Sequence, residues 1–297
     1  MGKKMDGFAF RWGYHLMALV TAAIWGTTFV STKVLIQNGL TPAEIFFYRF
    51  SLAYVVILLF SRGKLWSRSW RDEGWFALAG IFGGSLYFIT ENTALGITLA
   101  SNVSLLVCTS PVLTALLLAL FYHYPLRRRM LYGSLLALLG VALVVFNGSV
   151  LLKINPLGDL LTLCAALSWA LYCLVLRRFS GRYGSLFVTR KVFFYGLLSM
   201  SFYFLFEPLT WKAEILARPV VWMNLLFLGL IASMLCYLMW NASVKVLGAE
   251  RATNYLYVNP LVTMLTSSIV LDERITLAAL FGCVLIICGV YWAERHS

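Results

Sequence analysis

Ten apolar stretches, each of about 20 residues, run through the chain with only short polar segments between them. A transmembrane helix needs roughly 20 mostly apolar residues, so each stretch is long enough to span a bilayer. Only 12% of the 297 residues are charged, against about 25% in an ordinary soluble domain. This excludes a soluble enzyme, a disordered chain and a disulfide-rich secreted module. The predicted spans cover residues 16–36, 42–60, 75–95, 98–121, 129–147, 156–177, 185–206, 220–244, 249–271 and 275–293.

Basic residues are distributed unevenly between the two sides of these spans. Of the 24 Lys and Arg residues, 18 lie before the first span or follow an even-numbered span, and only 4 lie on the other side. Loops on the cytoplasmic side of a membrane carry the excess of Lys and Arg, so we predict that both termini face the cytoplasm. If Arg190 and Lys191 belong to a span instead of a loop, the ratio becomes 16 to 4 and the prediction is unchanged.

The chain also repeats itself weakly, at two related offsets. A shift of 149 residues carries Asn92 onto Asn241 and Pro111 onto Pro260, while a shift of 144 aligns residues 22–25 with 166–169. Two halves are therefore predicted, residues 1–150 and 151–297, each with five spans. Because five is odd, the second half enters the membrane from the opposite face, and the repeats are inverted. Inverted repeats are typical of transporters that expose a midplane site to each side in turn; a duplicated scaffold without transport is the alternative.

Four charged residues are predicted to lie inside spans: Lys33, Glu44, Arg49 and Glu91. A charge at the centre of a bilayer costs roughly 2.5–3.5 kcal/mol on insertion scales, so charges there usually have a function. In the predicted orientation all four lie in the outer half of the first repeat, and their charges sum to zero. They form either a gate and coupling network or a set of side chains that extend to the outer interface.

Glu91 is the leading candidate for a residue that couples export to an ion. A buried carboxyl group takes up a proton more readily than an exposed one. The second repeat has Trp240 at the position equivalent to Glu91, so a coupling carboxylate is expected in the first repeat. The sequence leaves proton-coupled and facilitated transport both open.

Aromatic residues provide the first set of candidates for a substrate cavity. Trp25 and Trp169 occupy equivalent mid-span positions of the two repeats. Aromatic faces suit apolar groups, other aromatic rings and cations. The alternative is that they pack against lipid or neighbouring helices. The remaining aromatic candidates are Tyr87, Tyr172, Trp240, Tyr255 and Tyr257.

Polar residues within spans provide the second set. Hydrocarbon penalises an unpaired amide or hydroxyl group, so each must bond either a substrate or a neighbouring helix. The candidates are Asn92, Ser101, Asn102, Asn241 and Asn259. Pro111 and Pro260 remove helix hydrogen bonds at matching places, which kinks the helices and could also free carbonyl groups toward a cavity.

Several of these motifs resemble the drug/metabolite transporter superfamily of the EamA type. They are Ala23-Ile24-Trp25-Gly26 followed by Lys33, Pro42 with Arg49, Glu91-Asn92-Thr93-Ala94-Leu95 followed by Ala100-Ser101-Asn102, Pro111, and Pro260 followed by Asp272-Glu273-Arg274 and Gly282/Gly289. The resemblance covers essentially the whole chain. It implies ten helices in two inverted five-helix repeats and export of amino acids, metabolites or drugs from bacteria. One departure is His123-Tyr124-Pro125, where the first repeat usually carries an acidic residue; only Glu273 keeps that pattern.

We interpret the sequence as an all-α polytopic membrane protein and a secondary transporter, not an enzyme. It is expected to export small metabolites, with amino acids favoured, across the bacterial inner membrane by alternating access. The sequence contains no ATP-binding loop, zinc-protease motif or nucleophile elbow, so no cofactor, metal or nucleic acid is expected. Expected partners are a small-molecule substrate, the bilayer and, as a candidate coupling ion, the proton. A broad drug effluxer, a non-transporting scaffold or enzyme, and a monomer or homodimer remain open.

Overall fold

A computed structural model describes residues 2–61, 65–98, 100–124, 128–146, 155–179, 181–210, 213–270 and 277–294. Every regular element in these ranges is a helix. The first half contains α1 Gly2–Gln37, α2 Pro42–Phe60, α3 Trp70–Gly80, a π-helical segment Ile81–Ser85, α4 Leu86–Ile97, α5 Ala100–Val107, α6 Ser110–Tyr122 and α7 Arg128–Phe146. The second half contains α8 Pro156–Phe179, α9 Ser185–Tyr203, α10 Ala213–Leu216, α11 Pro219–Leu226, a second π-helical segment Phe227–Leu235, α12 Cys236–Leu247, α13 Ala249–Asn254, a 3-10 turn Tyr255–Val258, α14 Asn259–Val270 and α15 Leu277–Glu294.

The chain is an all-helical, polytopic membrane protein. Among the described helices, four segments are long and apolar enough to cross a membrane, and shorter apolar helices occur at 110–122, 131–143 and 280–292. The four long segments are Arg11–Gln37, Pro42–Phe60, Pro156–Phe179 and Pro219–Leu247. Each predicted span coincides with one helix or with consecutive helices, although the count of ten membrane crossings stays a prediction.

Helices α1 and α3 begin before the predicted spans, because a helix can continue through charged residues outside the lipid. Helix α1 begins at Gly2, well before the predicted span. Helix α3 begins at Trp70, where Ser69 accepts a hydrogen bond from the backbone N–H of Asp72 and so caps the helix. Arg190 and Lys191, which we counted as loop residues, lie in α9 and are buried. The basic-residue ratio is therefore 16 to 4, and the orientation of the termini stays a prediction.

Both predicted proline kinks take the form of short interruptions between consecutive helices. Helix α5 ends at Val107, and Pro111 lies in the first turn of α6. The proline ring would clash with the carbonyl group of Val107, four residues earlier, whereas the first turn of a helix needs no donor from it. Pro260 likewise lies in the first turn of α14, after the 3-10 turn.

The two π-helical segments lie at equivalent places of the two halves and accept hydrogen bonds from the opposite half. Trp25 Nε1 of α1 donates to the carbonyl oxygen of Ala232 at 2.8 Å. Ser168 Oγ of α8, next to the equivalent tryptophan, donates to the carbonyl oxygen of Phe82 at 2.8 Å. A π segment shifts the helical hydrogen-bond register, so carbonyl groups there can take partners from other helices.

Helix packing between the halves is reciprocal. Helix α1 packs on α12 and α14, and its counterpart α8 packs on α4 and α6. Helix α3 packs on α9, while the second π segment packs on α2. Helix α7 packs on its own counterpart α15, where a Cβ atom at Gly140 would lie 2.6 Å from the carbonyl oxygen of Gly282. Such exchange of contacts is what a two-fold relation between two repeats requires.

Candidate functional site

A cavity lies among the helices of both halves, at the level of the π segments and the helix interruptions. About 30 Å³ of its space can hold the centre of a water-sized sphere, which is room for a few water molecules. A substrate would therefore require the surrounding helices to move apart. Its lining residues are Trp25, Thr28, Phe29, Arg49, Tyr87, Phe88, Glu91, Val107, Trp169, Tyr237, Leu256 and Asn259.

Arg49 brings a positive charge to this cavity from α2. Its side chain is buried, with the residue only 1% exposed. Nε donates to Ser233 Oγ of the second π segment at 2.9 Å, and the guanidinium carbon lies 4.5 Å from the centre of the Phe88 ring. Nη2 has no hydrogen-bond partner among the described residues. Because buried polar atoms are almost always bonded, this donor is a candidate ligand contact.

Glu91 brings a negative charge to the same cavity from α4. Its Oε1 accepts a hydrogen bond from the hydroxyl group of Tyr87 at 2.9 Å, and both residues are buried. Arg49 and Glu91 line the same cavity, and no ion pair closer than 4.0 Å joins them. Both side chains can therefore contact a bound molecule.

Trp25 and Trp169, which occupy equivalent positions of the two repeats, both line the cavity, and their rings meet edge to face at 5.1 Å. The N–H group of Trp25 donates a hydrogen bond to the carbonyl oxygen of Ala232. Trp169 Nε1 and Asn259 Oδ1, in contrast, are buried without a partner in the described part of the chain. The cavity thus offers one further donor and one further acceptor.

Tyr87 also lines the cavity, whereas the other four aromatic candidates are not among its lining residues. Tyr172 and Trp240 pack behind Trp169, with ring centres 5.1 and 5.7 Å from it. Tyr255 bonds His15 Nδ1 at 2.7 Å through its hydroxyl group. Tyr257 belongs to a separate apolar cluster with residues of α7 and α15. These four residues support the bundle.

The paired asparagines connect helices. Asn92 Nδ2 donates to the carbonyl oxygen of Pro42 at 3.1 Å, which joins α4 to α2. Asn241 donates to Thr189 Oγ1 at 2.8 Å and accepts from the Tyr172 hydroxyl at 2.7 Å, which joins α12 to α9 and α8. The side chains of Ser101 and Asn102 lie outside the described part of the structure, as does Glu273.

Lys33 and Glu44 contact helix ends. Lys33 Nζ donates to the carbonyl oxygen of Thr98, at the end of α4, at 3.2 Å. Glu44 forms a capping box with Thr41 at the start of α2 and accepts a hydrogen bond from Thr210 Oγ1 at 2.8 Å. Of the four predicted intramembrane charges, only Arg49 and Glu91 line the cavity.

Six lining residues were missed: Thr28, Phe29, Phe88, Val107, Tyr237 and Leu256. Thr28 and Phe29 follow Trp25 by three and four residues, so helical spacing places them on the same face. Tyr237 lies one residue beyond the position equivalent to Tyr87, and its hydroxyl group donates to the carbonyl oxygen of Gly83 in the first π segment. The repeat could therefore have indicated Tyr237.

Residues 12–146 match the model of the EamA-like transporter family, and residues 156–294 match it a second time. The chain belongs to the EamA-like transporter family. A model that matches twice in succession is what a chain with two sequence repeats produces. The chain is thus a membrane transporter with a small-molecule substrate and the lipid bilayer as partners.

Individual relatives agree with this assignment over nearly their whole lengths. A Bacillus subtilis (strain 168) protein named "Uncharacterized transporter YyaM" is 30% identical over 293 residues, which cover 94% of this chain and 93% of the relative. An Escherichia coli (strain K12) protein named "Probable amino-acid metabolite efflux pump" is 25% identical, with 93% of each chain covered. One solved crystal structure shares the fold, with a TM-score of 0.74 at 20% identity and 95% of this chain covered.

Proposed function

We propose that this transporter exports amino acids across the bacterial inner membrane by alternating access, with both termini in the cytoplasm. The observation that carries the proposal is the presence of one buried cation, Arg49, and one buried carboxylate, Glu91, on a single cavity without a direct ion pair. An amino acid is a zwitterion, with one charge of each sign on adjacent groups. The cavity can compensate both charges at once.

The available atoms suggest how such a molecule is held. Arg49 Nη2 and Trp169 Nε1 are donors without partners in the described part of the chain, and they suit the substrate carboxylate. Glu91 and Asn259 Oδ1 are acceptors that suit the ammonium group. The surrounding aromatic rings would contact the substrate side chain.

The symmetric framework supports alternating access. Two halves with reciprocal contacts can exchange conformations, which exposes a central site first to one side and then to the other. The π segments and the helix interruptions lie beside the cavity in both halves, and such irregular segments are common at functional sites. The name of the Escherichia coli relative, an amino-acid metabolite efflux pump, points to the same substrate class.

Protons are the coupling ion that the site supports best. A carboxylate that binds the substrate ammonium group cannot bind a proton at the same time. Glu91 would therefore bind either the substrate or a proton. This competition exchanges one substrate for one proton, and a transmembrane pH gradient then drives export.

Transport in reconstituted vesicles tests the proposal. The wild-type protein is expected to move labelled amino acids, but neither their methyl esters, which lack the carboxylate, nor their N-acetyl derivatives, which lack the ammonium group. Arg49→Gln should lose discrimination against the esters, and Glu91→Gln should lose both discrimination against N-acetyl compounds and the response to a pH gradient. Each variant serves as the matched control for the other.

The same assay separates the alternatives. If lipophilic cations move and amino acids do not, the protein is a drug effluxer, which the aromatic lining of the cavity would also suit. If Arg49→Gln and Glu91→Gln both transport amino acids at wild-type rates, the proposed site is wrong. If no compound crosses, the chain is a scaffold or carries out another reaction.

A further inference from the structure

A second cavity lies at one end of the helical bundle and shares no lining residue with the first. It is bounded by the N-terminal part of α1, the end of α6, the end of α8 and the connection from α12 to α13, and it has a volume of about 460 Å³. Since the predicted orientation places these helix ends together on the cytoplasmic side, the cavity would open at the cytoplasmic surface of the membrane.

The charge of this second cavity is strongly positive. Among the described lining residues, four are basic, Arg11, Arg177, Lys245 and Arg251, and one is acidic, Glu250. Arg11, Arg177 and Arg251 have no acidic partner within 4.0 Å among the described residues. Cations that converge from four different helical elements repel one another, so an anion in the cavity would stabilise this arrangement.

Arg177 is held in a defined orientation. Its guanidinium carbon lies 4.7 Å from the ring centre of Tyr122 and 5.4 Å from that of Tyr124. A guanidinium group that stacks on aromatic rings keeps its N–H edges free for an anion in the plane of the group. This geometry suits a phosphate, which accepts two parallel hydrogen bonds from one arginine.

We propose that this cavity binds a phosphate group with a net negative charge, and that its source is the headgroup of an anionic phospholipid. Exposed apolar side chains on the same helices favour a lipid over a soluble phosphate. Trp12 and Leu16, one and five residues after Arg11 on α1, are 59% and 60% exposed, and Phe121, three residues before Tyr124, is 61% exposed. Acyl chains can lie along these side chains while the headgroup lies among the cations.

The location also favours this source. Anionic lipids are concentrated in the cytoplasmic leaflet, and basic pockets between transmembrane helices on that side bind their headgroups. The cavity includes the connection between α12 and α13, where Gly248 has a φ angle of +90°. A bound headgroup would contact both the end of α12 and the start of α13, and would therefore hold this connection in place.

Binding of defined lipids to the purified protein in a neutral detergent tests the proposal. The measurement is the affinity for phosphatidylglycerol, for phosphatidylcholine and for the soluble compound glycerol 3-phosphate, by native mass spectrometry and by thermal shift. The test variant is Arg177→Gln combined with Arg251→Gln. The matched control is Arg128→Gln combined with Arg129→Gln, which removes the same charge from exposed positions on α7 that do not line the cavity.

Wild type is expected to prefer phosphatidylglycerol to phosphatidylcholine by about tenfold or more. The test variant should lose about tenfold in phosphatidylglycerol affinity. Each basic residue at a membrane surface contributes about tenfold or less to the affinity for anionic lipid. The control variant should stay within about twofold of wild type. Equal affinities of the test and control variants, or no preference of the wild-type protein for phosphatidylglycerol, would overturn the proposal.

Two further arms complete the design. Tight binding of glycerol 3-phosphate that is lost in the test variant would support the phosphate site but assign it to a soluble ligand and not to a lipid. If the glutamine variant does not fold, Arg177→Lys combined with Arg251→Lys keeps the charge and removes the planar N–H edges. That variant should bind phosphatidylglycerol about threefold more weakly than wild type, by loss of paired hydrogen bonds, and wild-type affinity would contradict the proposal.

Discussion

The two repeats of this transporter build the same framework with different chemistry. Both contain a π segment, an interruption before a proline and a helix that packs on its counterpart through glycines. The cavity charges, however, come from the first repeat alone. The residue equivalent to Arg49 is Phe193, and the residue equivalent to Glu91 is Trp240; both are fully buried apolar side chains.

The difference between the repeats distinguishes the backbone features, which must occur in both halves, from the substrate contacts, which need not. Exchange between two conformations requires halves that can adopt each other's shape, so the backbone features occur twice. A single small substrate occupies the cavity in one orientation, so its partners need to occur only once. A second Arg and a second Glu at the equivalent positions would add the cost of removing two more charges from water.

The largest effect is expected when the asymmetric chemistry is removed. Arg49→Ala should lower amino-acid transport roughly 100-fold or more, because it removes the buried donor and leaves Glu91 as an uncompensated charge. Phe193→Leu, at the equivalent position of the second repeat, should change transport by less than about threefold, since a similar apolar volume is kept. Initial rates in reconstituted vesicles measure both.

Equal losses in Arg49→Ala and Phe193→Leu would show that the two positions act only in packing, and that the chemical asymmetry between the repeats has no function. Elution of each detergent-solubilised variant from a sizing column serves as the folding control.

A smaller effect is expected at the contact between α3 and α9, which contains a buried ion pair. Lys191 Nζ lies 2.8 Å from Glu73, and the two side chains are 5% and 7% exposed. The reciprocal contact, of α2 with α11 and the second π segment, has Gly229 against Leu52 and the Arg49–Ser233 hydrogen bond, without an ion pair among the described residues. Lys191→Met should lower the free energy of unfolding by about 3 kcal/mol because Glu73 is left buried and charged.

Titration of the folded protein with a denaturing detergent measures this loss. Leu52→Met, in the reciprocal contact, is the control and should cost less than about 1.5 kcal/mol. Addition of Glu73→Gln to Lys191→Met should restore part of the stability. A double variant less stable than Lys191→Met alone would refute the importance of the ion pair.

The fold was largely predictable because its main determinants are local. Apolar windows mark membrane-spanning helices, and the positions of Pro111 and Pro260 mark where a helix must restart. The π segments left no comparable signal, since Phe227–Leu235 is as apolar as the helices around it and the glycines of Ile81–Ser85 also fit close helix packing. Their irregular register depends on tertiary partners such as the Trp25 side chain, which lies far away in the sequence.

The candidate site was predictable only in part. Charge inside a span singled out Arg49 and Glu91, and the repeat singled out Trp25 and Trp169, all of which line the cavity. The same signals also selected Lys33 and Asn92, which bond backbone carbonyl groups of neighbouring segments. A polar residue in a span must be bonded, but the sequence does not reveal whether its partner is a substrate or a helix.

Symmetric positions in the framework should respond equally. A Cβ atom at Gly140 would lie 2.6 Å from the carbonyl oxygen of Gly282, and one at Gly289 would lie 2.5 Å from the backbone nitrogen of Ala137. Because backbone atoms cannot move aside without separating α7 from α15, Gly140→Ala and Gly289→Ala should each cost about 2 kcal/mol. Gly13→Ala is the control, since its Cβ atom would meet no other atom within 4 Å. Losses that differ by more than about 1 kcal/mol would contradict the symmetry of the framework.

The smallest effect is expected at Trp25 and Trp169, two equivalent residues that differ in one hydrogen bond. Trp25 Nε1 donates to the carbonyl oxygen of Ala232, whereas Trp169 Nε1 has no partner among the described residues. Trp25→Phe should therefore lower the free energy of unfolding by about 1 kcal/mol more than Trp169→Phe, because a buried carbonyl group loses its donor. Trp169→Phe should instead raise the substrate concentration needed for half-maximal transport, by about fivefold if its N–H group bonds the substrate carboxylate. The two measurements should rank the variants in opposite order. The same ranking in both would mean that the equivalent tryptophans act alike, and that Trp169 only packs beside the cavity.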